Sequence, residues 1–258
     1  MQDAAAARPV CGDRYAKVFM NEDGLRILEA FKDEARPNAS NVARHRIIDD
    51  LLRQELTASP DRHVVLIGAG FDSRAYRLDG GNWLELDEPQ IITYKNERLP
   101  LADCKNQLLR IPIDFAVESL EHKLAPFSSP DPVVVVIEGV FMYLEEDAIR
   151  HLIHTLRRVF PRHKLICDLM SRRFFEKYSR TLHEKIAGLG ASFKTVERPD
   201  EIFVRNGYRI VEKISVVGRA IAWKTISIPA ILLRLFLRTL ADGYSIYVFE
   251  PDASGGKD

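Results

Sequence analysis

Four short apolar runs in this chain end in residues that suit one ligand. The run His63-Val64-Val65-Leu66-Ile67 ends in Gly68-Ala69-Gly70. Glycines let a backbone pass close to a ligand that a β-carbon would hold off, and the amides of a following helix start can face it. A tight turn with no ligand would use the same residues. Trp83-Leu84-Glu85-Leu86 ends at Asp87, 19 residues after Gly68, where an acid can accept from both hydroxyls of a ribose. A helix cap is the plainer role for such an acid. Residues 108–113 lead to Asp114-Phe115. That pair could meet an adenine through its amino group and its ring face, or be a turn acid beside a core ring. Residues 133–137 lead to Glu138. An acid at the end of a buried strand must be paired, since isolated buried charge is costly. Its partner would be a ligand cation or a protein cation. Together the four endings point to an adenosyl ligand.

The elements that must position these residues follow from periodicity. Besides the four runs, residues 164–169, 208–217 and 244–249 read as strands. Residues 133–137 are five β-branched residues in succession, a pattern of strands buried on both faces. Residues 145–159 carry an apolar stripe at helical spacing. Strands alternating with helices imply a parallel, doubly wound α/β sheet, with ligands at the carboxyl ends of its strands. Residues 1–60 read as a helical cap. A first helix runs through Leu25 to Phe31 and stops at Pro37, and a second runs through Val42 to Leu56 and stops at Pro60. Residues 61–258 read as the core of the same single domain. Residues 226–240 read as an apolar helix between the last two strands.

The chain has 258 residues, 37 basic and 37 acidic. A neutral balance does not suit nucleic acid as main partner. Three cysteines, Cys11, Cys104 and Cys167, lie far apart. They suggest no disulfide framework, and a reducing cytoplasm is the default. Met1-Gln2-Asp3 followed by four alanines reads as a loose tail without the pattern of a secretory leader. The apolar stretch 226–240 contains Pro229, Arg234 and Arg238, which argues against a membrane span. His151 and His154 lie three apart on the 145–159 helix with no third ligand in view, so no metal is expected.

Five ordered segments carry a resemblance: VARHRIIDD (42–50), VVLIGAGFDSRAYRL (64–78), ELDEPQIITYK (85–95), PIDF (112–115) and EGVFMYLEED (138–147). Over residues 40–170 the chain resembles the leucine carboxyl methyltransferase family and its bacterial O-methyltransferase relatives. The resemblance implies a class I methyltransferase (Rossmann-like) fold with a seven-stranded, mostly parallel sheet and an antiparallel last strand. It implies S-adenosylmethionine as cofactor, leaving S-adenosylhomocysteine. Carried over by position, Arg44 would pair with the cofactor's carboxylate. Gly68, Ala69 and Gly70 would line its methionine part, Asp87 would hold the ribose, and Asp114 and Phe115 would sit at the adenine. Glu138 would lie beside the amino acid end or the sulfonium. Arg74 and Lys95 also match, with no clear role.

Methyl transfer is an in-line displacement in which the protein supplies alignment and a dry site. A carboxylate acceptor is ionised at neutral pH, whereas a phenol gains from a base. Tyr143 is a candidate for orienting the acceptor, and no base is evident. In such folds the connection before the last strand often contributes to the acceptor pocket or to a homodimer contact. Ile228, Ile231, Leu232, Leu235 and Phe236 would then form an apolar wall, for an apolar or aromatic small-molecule acceptor. Two other readings compete. A nicotinamide oxidoreductase would share the glycine turn and Asp87, but Gly68-x-Gly70-x-x-Ser73 lacks the third glycine of the dinucleotide fingerprint. A catalytically silent adenosyl-binding protein would share the entire site.

Overall fold

The computed structural model describes residues 12–31, 35–179, 192–228 and 238–252. Seven strands form one sheet: β1 (His63–Ile67), β2 (Asn82–Asp87), β3 (Gln107–Pro112), β4 (Val133–Ile137), β5 (His163–Met170), β6 (Tyr208–Ser215) and β7 (Tyr244–Pro251). Their order is β3-β2-β1-β4-β5-β7-β6. The first five pair in parallel, and β7 runs antiparallel to both β5 and β6. This is the expected sheet, reversed last strand included. Chain order reverses between β1 and β4, so the carboxyl ends of those two strands flank the crevice where ligands bind in such sheets.

The main helices are α1 (Glu22–Phe31), α2 (Ala35–Ala58), α3 (Arg74–Arg77), α4 (Pro89–Arg98), α5 (Leu120–Leu124) and α6 (Glu146–Val159). Strand side chains alternate between two cores. Val64, Leu66, Val134 and Val136 pack with Ile47, Ile48, Leu51 and Leu52 of α2. Val65, Ile67, Val133 and Val135 pack with Ile153, Leu156 and Val159 of α6. β4 is buried along its whole length, as its β-branched run requires.

Three boundaries differ from expectation. Pro37 does not end the first helix; it lies in the first turn of α2, where a missing amide proton costs nothing. β6 ends at Ser215 rather than at residue 217. The Ser215 hydroxyl accepts from the Gly218 amide at 2.9 Å and caps a helix, Val216–Ala222. Residues 226–228 are not helical; Pro229 follows them, and a residue before proline avoids the α region. Arg238–Asp242 is helical. Residues 1–11 and 229–237 lie outside the described residues, and with them the expected tail and Ile231, Leu232, Leu235 and Phe236 of the apolar wall. No helix among the described residues is long and apolar enough to cross a membrane.

Candidate active site

The turn after β1 is sewn to the end of β2. Gly68 and Ala69 both donate their amides to the Leu86 carbonyl, at 2.9 and 3.0 Å. Gly70 donates to Asp87 Oδ2 at 2.6 Å, and Glu88 donates to Asp87 Oδ1 at 2.7 Å. Both glycines have positive φ, +68° and +48°, a region that disfavours any side chain. A β-carbon on Gly68 would lie 2.6 Å from Val140 Cγ2, whereas one on Gly70 would meet open space. Packing therefore requires Gly68, and Gly70 borders the crevice. The amides of the glycine turn itself are thus spent inside the protein. The helix that follows, α3, is four residues long, so no long helix N-terminus is aimed at a pyrophosphate.

A cavity of about 240 Å³ opens here, lined by Gly68, Ala69, Gly70, Asp72, Arg44 and Glu138 among others. Asp87 is 9% exposed, and each of its oxygens keeps acceptor capacity beyond the one amide it receives. At the end of β3, Asp114 Oδ1 accepts from the Ala116 amide at 2.9 Å. Phe115 is 41% exposed beside the β2 end, its amide 3.4 Å from Glu88 Oε1. The structure thus gathers Gly68–Gly70 and Asp87 tightly, with Asp114 and the open ring of Phe115 on the neighbouring strand. An open ring next to a partly satisfied carboxylate suits an adenosine, so these residues fit the group that the resemblance implies.

Glu138 and Arg44 are held by a charged network. Arg44 Nε donates to Glu138 Oε1 at 2.8 Å, and its Nη1 reaches Tyr244 Oη at 2.9 Å and Asp168 Oδ2 at 3.3 Å. Arg74 is fully buried and bonds Asp49 at 2.7 Å, Glu138 Oε2 at 2.7 Å, His45 Nδ1 at 2.7 Å, and Asp72. Arg77 adds bonds to Asp49 and to His45 Nε2. Burial raises the Glu138 pKa, but Arg74, Arg44 and His45 outweigh it and hold the carboxyl well below its usual range. Burial likewise opposes charge on Arg44, and Tyr244, Asp168 and Glu138 more than restore it. Glu138 therefore takes the protein-cation pairing that the sequence left open. His45, Asp72 and Glu138 bring ligand atoms within 4.8 Å of one another, but Arg74 bonds all three and fills the place of a metal.

Several members of this network, Asp49, Asp72, Arg77, Asp168 and Tyr244 among them, were given no role in the sequence reading. Asp168 is fully buried in β5 and accepts from the Gly139 amide at 2.6 Å and from Tyr244 Oη at 2.9 Å. It fixes the turn after β4, where Gly139 has φ +71°. The signal was present, as an acid near the carboxyl end of an otherwise apolar strand. Arg74 gains a role as the central cation. Lys95 is fully buried and 2.8 Å from Glu85. His154 contacts Asn206 at 3.0 Å.

Across Arg44 lies a second cavity, of about 320 Å³. Tyr143, Phe174, Phe193, Met142, Met170 and Tyr244 form much of its wall, and Ile228 and Leu240 border it. The Tyr143 and Phe193 rings meet edge to face at 5.0 Å. Burial raises the Tyr143 pKa, Arg44 opposing. Arg44 is the one charged side chain among the described residues of this wall, and it lines the glycine cavity too. Its Nη2 bonds no described residue.

Comparison with known proteins bears on the family and the fold. A candidate S-adenosyl-L-methionine-dependent methyltransferase of Streptomyces avermitilis is 31% identical over 174 residues, 63% of this chain and 58% of its own length. One of Streptomyces coelicolor is 31% identical over 173 residues, 61% of this chain and 56% of its own. The match thus spans less than two thirds of the relatives' length. Among solved structures, a DUF574-family protein from Streptomyces avermitilis aligns with a TM-score of 0.58 at 12% identity, covering 95% of this chain and 97% of that one. Magnesium protoporphyrin IX methyltransferase from Synechocystis, with S-adenosylhomocysteine bound, aligns at 0.52 and 17% identity, covering 82% and 84%. At such identities the likeness is one of fold, that of class I methyltransferases. The leucine carboxyl methyltransferase family profile matches residues 1–157, the stretch that carries α2, the glycine turn, Asp87, Asp114 and Glu138. With its five ordered segments folded around one crevice, the chain belongs to the leucine carboxyl methyltransferase family.

Proposed function

We propose that the protein binds S-adenosylmethionine along the carboxyl ends of β1 to β4 and methylates an oxygen of a small, apolar or aromatic metabolite. The oxygen is a carboxylate or a phenol. The observation that carries this reading is the shared wall at Arg44, where the polar glycine cavity and the aromatic cavity adjoin. When bound, the cofactor supplies a methyl group activated by a sulfonium. Gly68, Ala69 and Gly70 would border its methionine part, and Asp87 would accept from the ribose hydroxyls. Asp114 and Phe115 would receive the adenine. Arg44, with Nη2 unspent, would draw a carboxylate to the junction, and Tyr143 would orient the acceptor. Glu138 and Asp168 act through Arg44 and hold its guanidinium in place. The aromatic wall excludes water, which favours a step that cancels an anion against a sulfonium.

Incubation with methyl-labelled S-adenosylmethionine and a panel of aromatic acids and phenols tests the reading. Label should move to at least one acceptor, base-labile if an ester and base-stable if an ether. Binding of S-adenosylhomocysteine without transfer to any acceptor in either class would count against it.

A further inference from the structure

Among the described residues of the aromatic cavity, the polar side chains are not equally available to a ligand. Tyr244 Oη is spent between Asp168 and Arg44. The Tyr178 phenolic oxygen is shut off from solvent, and Ser179 is buried. What remains besides Tyr143 lies on α2, where Ser40, Asn41 and Arg44 all line the cavity. Residues three and four apart share one face of a helix, so Ser40 and Asn41 sit one turn before Arg44 on its own face. Asn41 is exposed and Ser40 half-buried, and neither side chain bonds a described residue. Asparagine is a poor helix former, so helix stability gives no reason for Asn41.

Ser40 and Asn41 do not line the glycine cavity, whereas Arg44 lines both. Their polar groups are therefore offered to the acceptor side and not to the cofactor. The rest of the described wall includes Met142, Met170, Phe174, Phe193 and Ile226, aromatic and thioether groups that suit a flat ring system. An apolar protein cavity of about 150 Å³ holds benzene, and this one, at about 320 Å³, has room for two fused rings. We infer that Asn41 is a specificity-determining residue: its side-chain amide hydrogen-bonds a hydroxyl or carbonyl on an aromatic acceptor, a group distinct from the one methylated. An amide both donates and accepts, so either substituent serves. The Ser40 hydroxyl beside it offers the same group a second partner. This rests on the reading of the cavity as the acceptor site, and it adds a second polar substituent to the acceptor.

The test is calorimetric titration of the full chain with 2-naphthoic acid and its ring-hydroxylated isomers, with and without S-adenosylhomocysteine. At least one hydroxylated isomer should bind about three- to tenfold more tightly than the parent acid, the gain of one hydrogen bond. In Asn41→Leu that preference should fall below about twofold, while S-adenosylhomocysteine affinity stays at the wild-type value. The variant should melt at or above the wild-type temperature, because leucine is the better helix former and no internal bond is lost. Four results overturn the inference: no naphthoate binds, the preference survives in Asn41→Leu, S-adenosylhomocysteine affinity falls with it, or the variant melts well below wild type. Methyl transfer with an unchanged ranking of acceptors in Asn41→Leu would likewise overturn it and leave the methyltransferase reading standing. Lack of S-adenosylhomocysteine binding by the wild type would instead count against the cofactor reading, and the hydroxyl preference measured without it would still decide the role of Asn41.

Discussion

The two cavities that meet at Arg44 are built on opposite plans. On the glycine side nearly every polar group has an internal partner: Asp87 with Gly70, and Arg74 with Asp49, Asp72 and Glu138. The aromatic side is mainly apolar, with Arg44 as its one charged described wall residue. A site that takes the same cofactor in every turnover can be fixed by buried ion pairs. A site that selects one metabolite needs shape and a few polar points. Changes in the first region should therefore damage the fold or cofactor affinity, and changes in the second should alter selectivity at constant stability.

The largest effect is expected at Arg74. Arg74→Ala leaves the buried carboxylate of Asp49 and the partly buried ones of Asp72 and Glu138 short of a cation, which should cost about 3–5 kcal/mol of stability. Urea denaturation measures it, and a loss below about 1 kcal/mol would show that the network is not buried in the way described. A second large effect separates fold from site. His163 starts β5, at the end of the strand away from the crevice, and burial pushes its pKa down to about 4. Above its ordinary value near 6.5 neither the folded nor the unfolded state is protonated, and the group has no effect. Below it the unfolded chain takes up a proton that the folded chain refuses. Stability should thus fall by up to about 3 kcal/mol as pH drops from 6.5 to 4. Glu138, with its depressed pKa, stays ionised through that window. Denaturation of wild type and His163→Gln at pH 7 and 4.5 checks this, since the variant should lose the His163 share of the slope.

At the cofactor side, Asp87→Asn keeps the shape of the side chain but loses the charged acceptor. S-adenosylhomocysteine affinity should drop by about 10- to 100-fold, worth roughly 1.4–2.8 kcal/mol. Undiminished affinity in titration would refute the ribose role. The smallest effect should come from Tyr143→Phe in the aromatic cavity. Stability should stay within about 0.5 kcal/mol and cofactor affinity should be unchanged, while the ranking of acceptors in a transfer assay shifts. A large loss of stability there would erase the contrast between the two regions.

The same contrast explains how much of the molecule was legible in the sequence. β4 could be read from five β-branched residues, and α6 from its apolar stripe, because burial imposes a period on the chain. Asp87, Asp114 and Glu138 could be found because they end strands whose carboxyl ends must face the crevice. The charged network could not be read. Arg44 and Glu138 are 94 positions apart, and Arg44 and Asp168 are 124 apart. Pairing across such distances leaves no local pattern. The amides of Gly68 and Ala69 carry no side-chain signature either, so their use by Leu86 was invisible. The aromatic cavity draws on residues from Ser40 to Tyr244, and only Tyr143 among its rings was singled out beforehand.

The central claim is that the crevice at Gly68–Gly70 and Asp87 takes an adenosyl sulfonium rather than a dinucleotide. Calorimetric titration of the full chain with S-adenosylhomocysteine and, in parallel, with NAD tests it most directly. The account predicts saturable one-to-one binding of S-adenosylhomocysteine and no heat from NAD. Saturable binding of NAD with none of S-adenosylhomocysteine would contradict it.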